Sequence, residues 1–180
     1  ESQTYTNSAS NDVVTGGVLK ITAKKEGSTY TSARLKSEDK YEFTYGKIEF
    51  RAKLPAGGGT WPAVWSLGQD YKTNSWPACG ELDFMEHVGN SQNVIHGSLH
   101  YPGNSGGNAN TASTTIANAS TEFHVYKTIW TPSSIKFYVD GDDSSIQLYS
   151  TSNNTKSNLI NIPNEIKIEL NSNNFISHIF

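Results

Sequence analysis

Three carboxylic acids lie close together in the segment Glu81-Leu82-Asp83-Phe84-Met85-Glu86. The apolar residues between them predict a buried strand, where three acids repel one another and lose hydration. A strand that serves only to hold a fold together rarely carries such a set. Three solvated charges on an edge strand are the alternative, but the apolar neighbours argue against it. The segment therefore predicts a catalytic site that works by carboxylate chemistry.

The spacing of the three acids also predicts an irregular strand. On a regular strand Glu81 and Asp83 share one face, whereas Glu86 points to the other. One extra residue at Phe84 or Met85, a β-bulge, would return Glu86 to the face of the other two acids. We therefore predict a bulge here, with all three acids lining one concave surface.

Two glutamates with an aspartate between them suit the hydrolysis of a glycosidic bond. The retaining form of this reaction needs two carboxyl groups about 5–5.5 Å apart, one as nucleophile and the other as general acid and then base. Glutamate side chains are long enough to close that gap from one strand. The intervening aspartate can orient one glutamate and hold the two ionisation states apart. We expect such coupled carboxyls to titrate as a unit.

The composition narrows the class of protein and of partner. The 180 residues, with a formal net charge of −3, are predicted to form a single domain spanning 1–180. The lack of a basic excess argues against nucleic acid or an anionic membrane as partner. Four Trp and nine Tyr among only 17% charged residues suit a neutral, ring-shaped ligand such as a sugar, although an ordinary all-β domain shares this composition. The single cysteine, Cys79, excludes an intrachain disulfide.

Period-two alternation of apolar and polar residues predicts short strands. No window carries the helical period for three turns, so the pattern indicates an antiparallel sandwich or barrel. Two long loops are expected, at 56–60 and at 102–120. The predicted strands are 17–23, 47–54, 95–100, 135–139 before an Asp-Gly hairpin turn, and 146–149.

The acidic motif resembles that of glycoside hydrolase family 16, in its laminarinase-like branch. That branch has Glu-x-Asp-x-x-Glu, which Glu81, Asp83 and Glu86 match. The resemblance implies that Glu81 is the nucleophile, Asp83 assists, and Glu86 is the acid/base. It also implies a β-jelly-roll sandwich of two antiparallel sheets with an open cleft. Further matching segments, over roughly residues 1 to 150, include 30–35, 43–49, 59–68, 123–126 and 129–141.

The same resemblance suggests substrate contacts. For Trp65 and Trp130 the sequence fits a position in the core as well as a contact with substrate. For Asn7 it fits a plain turn as well as a contact with substrate. Alternation places His100 on a polar strand face that borders the cleft, whereas His87 is predicted to be structural and Trp76 is left unassigned. The predicted contacts are Arg34, Trp61, Trp65, His100, Trp130 and Asn7.

Two parts of the chain depart from the family pattern. The family opens with a Trp- and Glu-containing stretch, and this chain starts inside it, without a recognisable targeting segment. Residues 164–180 do not follow the family's final strands, which a truncation or frameshift near Pro163 would explain. The family's frequent structural calcium site uses terminal residues, so this departure argues against calcium here. No cofactor or metal is expected for catalysis, because no Cys/His set with metal-ligand spacing accompanies the two histidines of 95–100.

The expected activity is endo-hydrolysis of β-1,3 or mixed β-1,3/1,4 glucans such as laminarin, by a monomer that is secreted, periplasmic or held at the cell surface. The sequence does not separate the two linkage preferences. One alternative is a non-catalytic β-glucan-binding domain, although such relatives typically lose the acids that this chain keeps. A family 16 enzyme for agarose or carrageenan is another. Carrageenan carries sulfate, and Arg34 has no cluster of basic residues beside it.

Overall fold

The computed structural model describes residues 2–141, and these form an almost purely β structure. Apart from one 3₁₀ turn at Gly106–Asn108, the regular elements of the described part are strands, and none is a helix of bilayer-spanning length and hydropathy. The predicted strand at 146–149 and the segment 164–180 lie outside the described residues. The strands are β1 Gln3–Tyr5, β2 Asp12–Thr15, β3 Val18–Ile21, β4 Lys24–Glu26, β5 Thr29–Ser32, β6 Gly46–Ala52, β7 Ala63–Leu67, β8 Glu81–His87, β9 Val94–His100, β10 Asn110–Thr115, β11 His124–Thr131 and β12 Ser134–Val139.

Two antiparallel sheets form a sandwich around the core. One sheet has the order β10-β9-β8-β7 and the other β12-β11-β6. Residues of both sheets share one apolar cluster, in which Leu82 and Phe84 of β8 lie with Tyr126 of β11 and Phe137 of β12. The remaining strands form a β2-β3 hairpin and a small sheet, β1-β5-β4, in which β1 is parallel to β5. The predicted jelly-roll sandwich is confirmed, rather than a closed barrel.

Alternation along the strands decides which side chains enter this core. In β11 every second residue is buried, beginning at His124, and β12 shows the same pattern. Gly97 of β9 allows the two sheets to approach closely, because a Cβ atom there would lie 2.5 Å from the Phe137 ring. The predicted strands within the described residues are confirmed, with small shifts in their ends.

One predicted loop contains a strand. Residues Asn110–Thr115, inside the loop expected at 102–120, form β10 and pair with β9 along their whole length. The alternation is hard to recognise because these residues are polar or small, and Ala112 alone among them is buried. The backbone hydrogen bonds offered by the edge of β9, rather than apolar burial, account for this strand.

Candidate active site

The acidic segment is strand β8, in the middle of the four-stranded sheet, and it carries the predicted bulge. Against β9, Asp83 pairs with Ser98 and Glu86 with His96, so two residues of β8, Phe84 and Met85, face one residue of β9. Against β7, Trp65 pairs with Asp83 and Val64 with Met85, which leaves Phe84 without a partner. This is the two-against-one count of a β-bulge. The predicted position of the bulge is confirmed.

The bulge brings the three acids to one face of the sheet. Ser98, directly opposite Asp83, donates its hydroxyl to Glu86 Oε2 at 3.2 Å, and Asp83 and Glu81 share a carboxyl–carboxyl hydrogen bond. Leu82 and Phe84 point to the opposite face, into the core. Without the extra residue, Glu86 would have been buried among those apolar side chains. The arrangement therefore leaves one polar face on which all three carboxyls can act together.

Burial and mutual repulsion disturb the acid–base behaviour of this cluster. Asp83 is only 2% exposed, and its burial, followed by the nearby Glu86 charge, raises its pKa to about 8. Burial raises the pKa of Glu81 to about 7, with the charge of Asp83 adding to the effect. Near neutral pH the Glu81–Asp83 pair therefore retains one proton, which the two carboxyls share through their hydrogen bond.

His100 joins this pair from strand β9. The backbone N–H of Gly106 donates to His100 Nδ1 at 3.1 Å, so in the neutral ring Nδ1 accepts and the proton lies on Nε2. Nε2 is 3.0 Å from Asp83 Oδ2. The sequence predicted that His100 borders the cleft and contacts substrate, and the contact that the structure shows is with Asp83. The turn at Gly106 thus sets which nitrogen of His100 faces the acids.

Glu81, Asp83 and His100 also have the spacing of a metal site. One ligand atom from each lies within 4.8 Å of the others. A metal on His100 Nε2 would require that nitrogen to be deprotonated, and the neutral ring would then carry its proton on Nδ1. That proton would face the N–H of Gly106, which now donates to Nδ1. The hydrogen bond therefore favours His100 as a partner of Asp83 over His100 as a metal ligand.

Two exposed tryptophans hold the outer carboxylates. Trp61, 62% exposed, donates its indole N–H to Glu86 Oε1 at 2.9 Å, and Trp76, 47% exposed, donates to Glu81 Oε2 at 2.5 Å. The structure thus places the predicted contact Trp61 at the site. Trp76 belongs to the site as well, although the sequence left it unassigned, since it lies in a loop five positions before Glu81. Both indoles leave ring surface in solvent on which a sugar could stack.

The Trp76 hydrogen bond gives a testable effect on Glu81. Trp76→Phe keeps an aromatic ring but removes the N–H donor, and a hydrogen bond to a charged group contributes roughly 1.5–3 kcal/mol. We expect the pKa of Glu81 to rise, so the acid limb of the kcat/KM–pH profile should move up by about one unit. Trp61→Phe is the matched control, since it leaves the Trp76 donor in place. An unchanged acid limb in Trp76→Phe would contradict this role.

Three further predicted contacts are Trp65, which lies on β7, and Arg34 and Asn7, which follow β5 and β1. Trp65 pairs with Asp83 and so shares the acidic face. The guanidinium of Arg34 lies 5.4 Å from the centroid of the Trp65 ring and 4.7 Å from that of Tyr5. This stacking connects the β1–β5 region to the acidic face. Asn7 is exposed two residues after Tyr5, and its contact with substrate stays a prediction.

The position of Trp130 differs from the prediction that it contacts substrate. Its side chain is 3% exposed and packs in the core against Phe43 and Tyr45, at centroid distances of 6.3 and 5.3 Å. The prediction that it contacts substrate is wrong, because its strand position faces the opposing sheet. His87 is fully buried and accepts the backbone N–H of Asn93 at 3.1 Å, as its predicted structural role requires. Cys79 is buried as well.

Comparison with known proteins agrees with this geometry. The model of glycosyl hydrolases family 16 matches residues 1–173, and so continues past Pro163, where the sequence analysis placed a departure. A β-glucanase of Rhodothermus marinus is 45% identical over 148 residues, which cover 78% of this chain and 52% of that protein. A glucan endo-1,3-β-glucosidase A1 of Niallia circulans is 37% identical over 158 residues, covering 78% of this chain and 23% of that protein.

Solved structures give the same result. The laminarinase of Flavobacterium sp. UMI-01 superposes with a TM-score of 0.81 and 42% identity, over 87% of this chain and 66% of that one. The laminarinase of Rhodothermus marinus superposes with a TM-score of 0.73 and 42% identity, over 81% of this chain and 60% of that one. This chain thus spans about half the length of the Rhodothermus β-glucanase and a smaller share of the Niallia protein. The chain belongs to glycosyl hydrolase family 16.

Proposed function

We propose that this chain is a retaining endo-glycoside hydrolase that cleaves internal β-1,3 or mixed β-1,3/1,4 glucosidic bonds. The observation that carries the proposal is the bulged strand β8, which presents Glu81, Asp83 and Glu86 on one polar face. Trp61 and Trp76 add aromatic surface beside the two glutamates. The relatives named above are a β-glucanase, an endo-1,3-β-glucosidase and two laminarinases, which supports a β-glucan as substrate.

The reaction would proceed in two displacements. Glu81 attacks the anomeric carbon while Glu86 donates its proton to the departing glycosidic oxygen, so one C–O bond forms as the other breaks. In the second step Glu86, now a carboxylate, takes a proton from water, and the resulting oxygen nucleophile displaces Glu81 from the anomeric carbon. Two inversions give net retention, and Glu86 regains its proton.

Asp83 would keep Glu81 reactive by holding the proton that the two carboxyls share. Burial raises the pKa of Asp83 to about 8, above the value of about 7 to which burial raises the pKa of Glu81. The two carboxyls therefore share this proton as a coupled pair, and the first displacement uses the state in which Glu81 is the carboxylate and Asp83 donates to it. His100 Nε2, 3.0 Å from Asp83 Oδ2, orients the second oxygen of that side chain.

This division of roles predicts a specific pH dependence. Because the pKa of Glu81 is raised to about 7, kcat/KM should fall as the pH drops through about 7 and Glu81 becomes protonated. Asp83→Asn removes the neighbouring charge that adds to this shift, so the acid limb should move to lower pH. Glu26→Gln, at an exposed acid on β4, is the control and should leave the limb in place. An acid limb of the kcat/KM profile that stays at the same pH in Asp83→Asn would refute the coupling between Asp83 and Glu81.

The proposed partner is a neutral polysaccharide, acted on by a monomer outside the cytoplasm. Arg34 stacks on Trp65 and Tyr5 at the edge of the acidic face, and the acids themselves repel sulfated chains. Laminarin, lichenan, agarose and carrageenan, assayed side by side for reducing-sugar release, test this preference. We expect activity on laminarin or lichenan, with the first-formed products keeping the β-anomeric configuration by proton NMR. Binding of laminarin without any release of reducing sugar would instead favour a non-catalytic glucan-binding domain.

A further inference from the structure

A second recess, separate from the acidic face, lies beside the end of strand β7. It encloses about 250 Å³ and is formed by the segment 37–43 together with residues 66–72. We name it the Tyr41 recess, after the aromatic ring in its wall. Leu67 borders it and pairs with Glu81 across β7 and β8, so the recess begins one strand away from the acids. The predicted catalytic and substrate-binding residues lie outside its lining.

The aromatic wall of the recess is held in place by a local turn. Tyr41 donates its backbone N–H to Ser37 O at 3.0 Å, and the Ser37 hydroxyl donates to Tyr41 O at 3.0 Å. The Tyr41 ring packs against Phe43, with centroids 6.4 Å apart, yet the residue remains 38% exposed. The segment therefore fixes the ring from behind and leaves part of it open to the recess. Such a ring can pack on the CH groups of a sugar.

The polar wall is organised around Glu38. The Tyr71 hydroxyl donates to Glu38 Oε1 at 2.5 Å, Lys72 Nζ lies 2.5 Å from the same oxygen, and Lys36 pairs with Oε2. These hydrogen bonds, led by that of Lys36, lower the pKa of Glu38 to about 2. Glu38 thus stays ionised and positions Tyr71 and Lys72 at the rim before any ligand arrives.

The charges that line the recess indicate the kind of ligand it would accept. Its acidic members are Glu38, Asp39 and Glu42, and its basic member is Lys72. Carboxylates accept hydrogen bonds from hydroxyl groups, and an excess of them repels a sulfated or uronate-bearing chain. The volume lies just under the roughly 300–1,000 Å³ of small-molecule sites, which suits one or two sugar rings. A neutral glycan fits both the charge and the size.

We propose that the Tyr41 recess is a non-catalytic binding site for a neutral glucan chain, distinct from the acidic face. It would hold one or two residues of the same polymer, with a ring stacked on Tyr41 and hydroxyls bonded to Asp39, Glu42 and Gln69. The identity of the sugar rests on the proposed function, whereas the existence of a second site does not. A polymer held at both places would stay bound between cleavage events, because the second contact is intramolecular once the first has formed.

The test measures binding without turnover. In a Glu81→Gln background, titration calorimetry with laminaribiose, a disaccharide too short to fill the recess and the acidic face at once, should show two classes of site. Tyr41→Ala should weaken one class roughly threefold to tenfold, the effect of removing one aromatic contact, whereas Tyr41→Phe should retain it. Tyr30→Ala is the matched control, since Tyr30 is also an exposed tyrosine, at 44%, but lies on β5 outside the recess. Glu42→Gln gives a second variant should Tyr41→Ala lose its thermal transition, and it should weaken the same class.

Three outcomes would separate this inference from the proposed function. The recess is overturned as a glucan site if the titration shows a single class of site, or two classes whose affinities are unchanged by Tyr41→Ala and Glu42→Gln. This holds even if the wild-type chain hydrolyses laminarin. Binding of a κ-carrageenan disaccharide at the Tyr41-dependent class as tightly as laminaribiose overturns its preference for neutral chains. Tyr41-dependent binding, together with a wild-type chain that releases no reducing sugar from laminarin, supports the recess and contradicts the proposed hydrolysis.

Discussion

Replacing Glu81 with glutamine is expected to abolish measurable hydrolysis of laminarin while the domain stays folded. Glutamine has nearly the same shape and can still accept the Trp76 indole N–H through its amide oxygen. It cannot form the covalent glycosyl intermediate, however, because an amide is a poor nucleophile at the anomeric carbon. Removal of a nucleophile costs on the order of 10⁴-fold or more in kcat. Reducing-sugar release from laminarin measures the loss.

The stability of this variant provides its internal control. Burial raises the pKa of Glu81 to about 7, so an unfolded chain ionises at lower pH than the folded one, and the wild-type domain loses stability as pH rises towards 7. Glutamine carries no such penalty, and the melting temperature at pH 8 should equal or exceed that of the wild type. Glu26→Gln, at an exposed position on β4, is the matched substitution and should keep full activity. Retained hydrolysis in Glu81→Gln would end the nucleophile assignment.

Glu86→Ala should show a loss of hydrolysis that depends on the leaving group. General acid catalysis contributes roughly 10²–10⁴-fold, and this part of the rate should disappear for laminarin, whose leaving group is a sugar hydroxyl. On an activated aryl β-glycoside the first step needs little proton donation, so the glycosyl intermediate should form and accumulate. Azide, which needs no general base, should then attack the intermediate and restore turnover.

The configuration of the azide product decides between the two glutamates. Azide that attacks an intermediate on Glu81 gives a β-glycosyl azide. Formation of the intermediate inverts the anomeric carbon once and azide attack inverts it again, so the β configuration is restored. An α-glycosyl azide would mean a single inversion and would assign the nucleophile to Glu86, reversing the proposed roles. Proton NMR of the product distinguishes the two anomers. Ser98→Ala is a useful companion, since it removes the hydroxyl contact to Glu86 Oε2 but keeps the carboxyl, and it should retain most of the activity on aryl glycosides.

The bulge in β8 shows what local sequence can predict about a site. The period of two along a strand is a strict geometric rule, so acids at positions 81 and 86 can share a face only through an odd number of extra residues. Apolar neighbours and three acids at that spacing were enough to predict the irregularity and its position, which the pairing with β7 and β9 confirms. The same reasoning placed His100 on the strand face that borders the cleft and predicted a structural role for His87.

The aromatic residues show the limit of the same reasoning. A period of two tells which side of a strand a residue occupies, but not whether that side meets the other sheet or the solvent. Trp130 therefore remained open between core and cleft until the packing of β11 against the opposing sheet placed it with Phe43 and Tyr45. Trp76 lies in a loop, where no periodicity applies, and its hydrogen bond to Glu81 depends on how the chain returns to β8.

By itself, the sequence determined the all-β class, the bulged strand and the face shared by its acids, because alternation and turn residues act over a few neighbouring positions. The choice of a sandwich over a barrel came from the resemblance to family 16. Tertiary structure alone decided that Asn110–Thr115 pairs with β9, that Gly106 sets the tautomer of His100, and that Glu38 organises the Tyr41 recess. Each of these depends on atoms that are distant along the chain and meet only after the sheets have packed. Their energies come from desolvation and hydrogen-bond geometry, which are properties of the assembled fold.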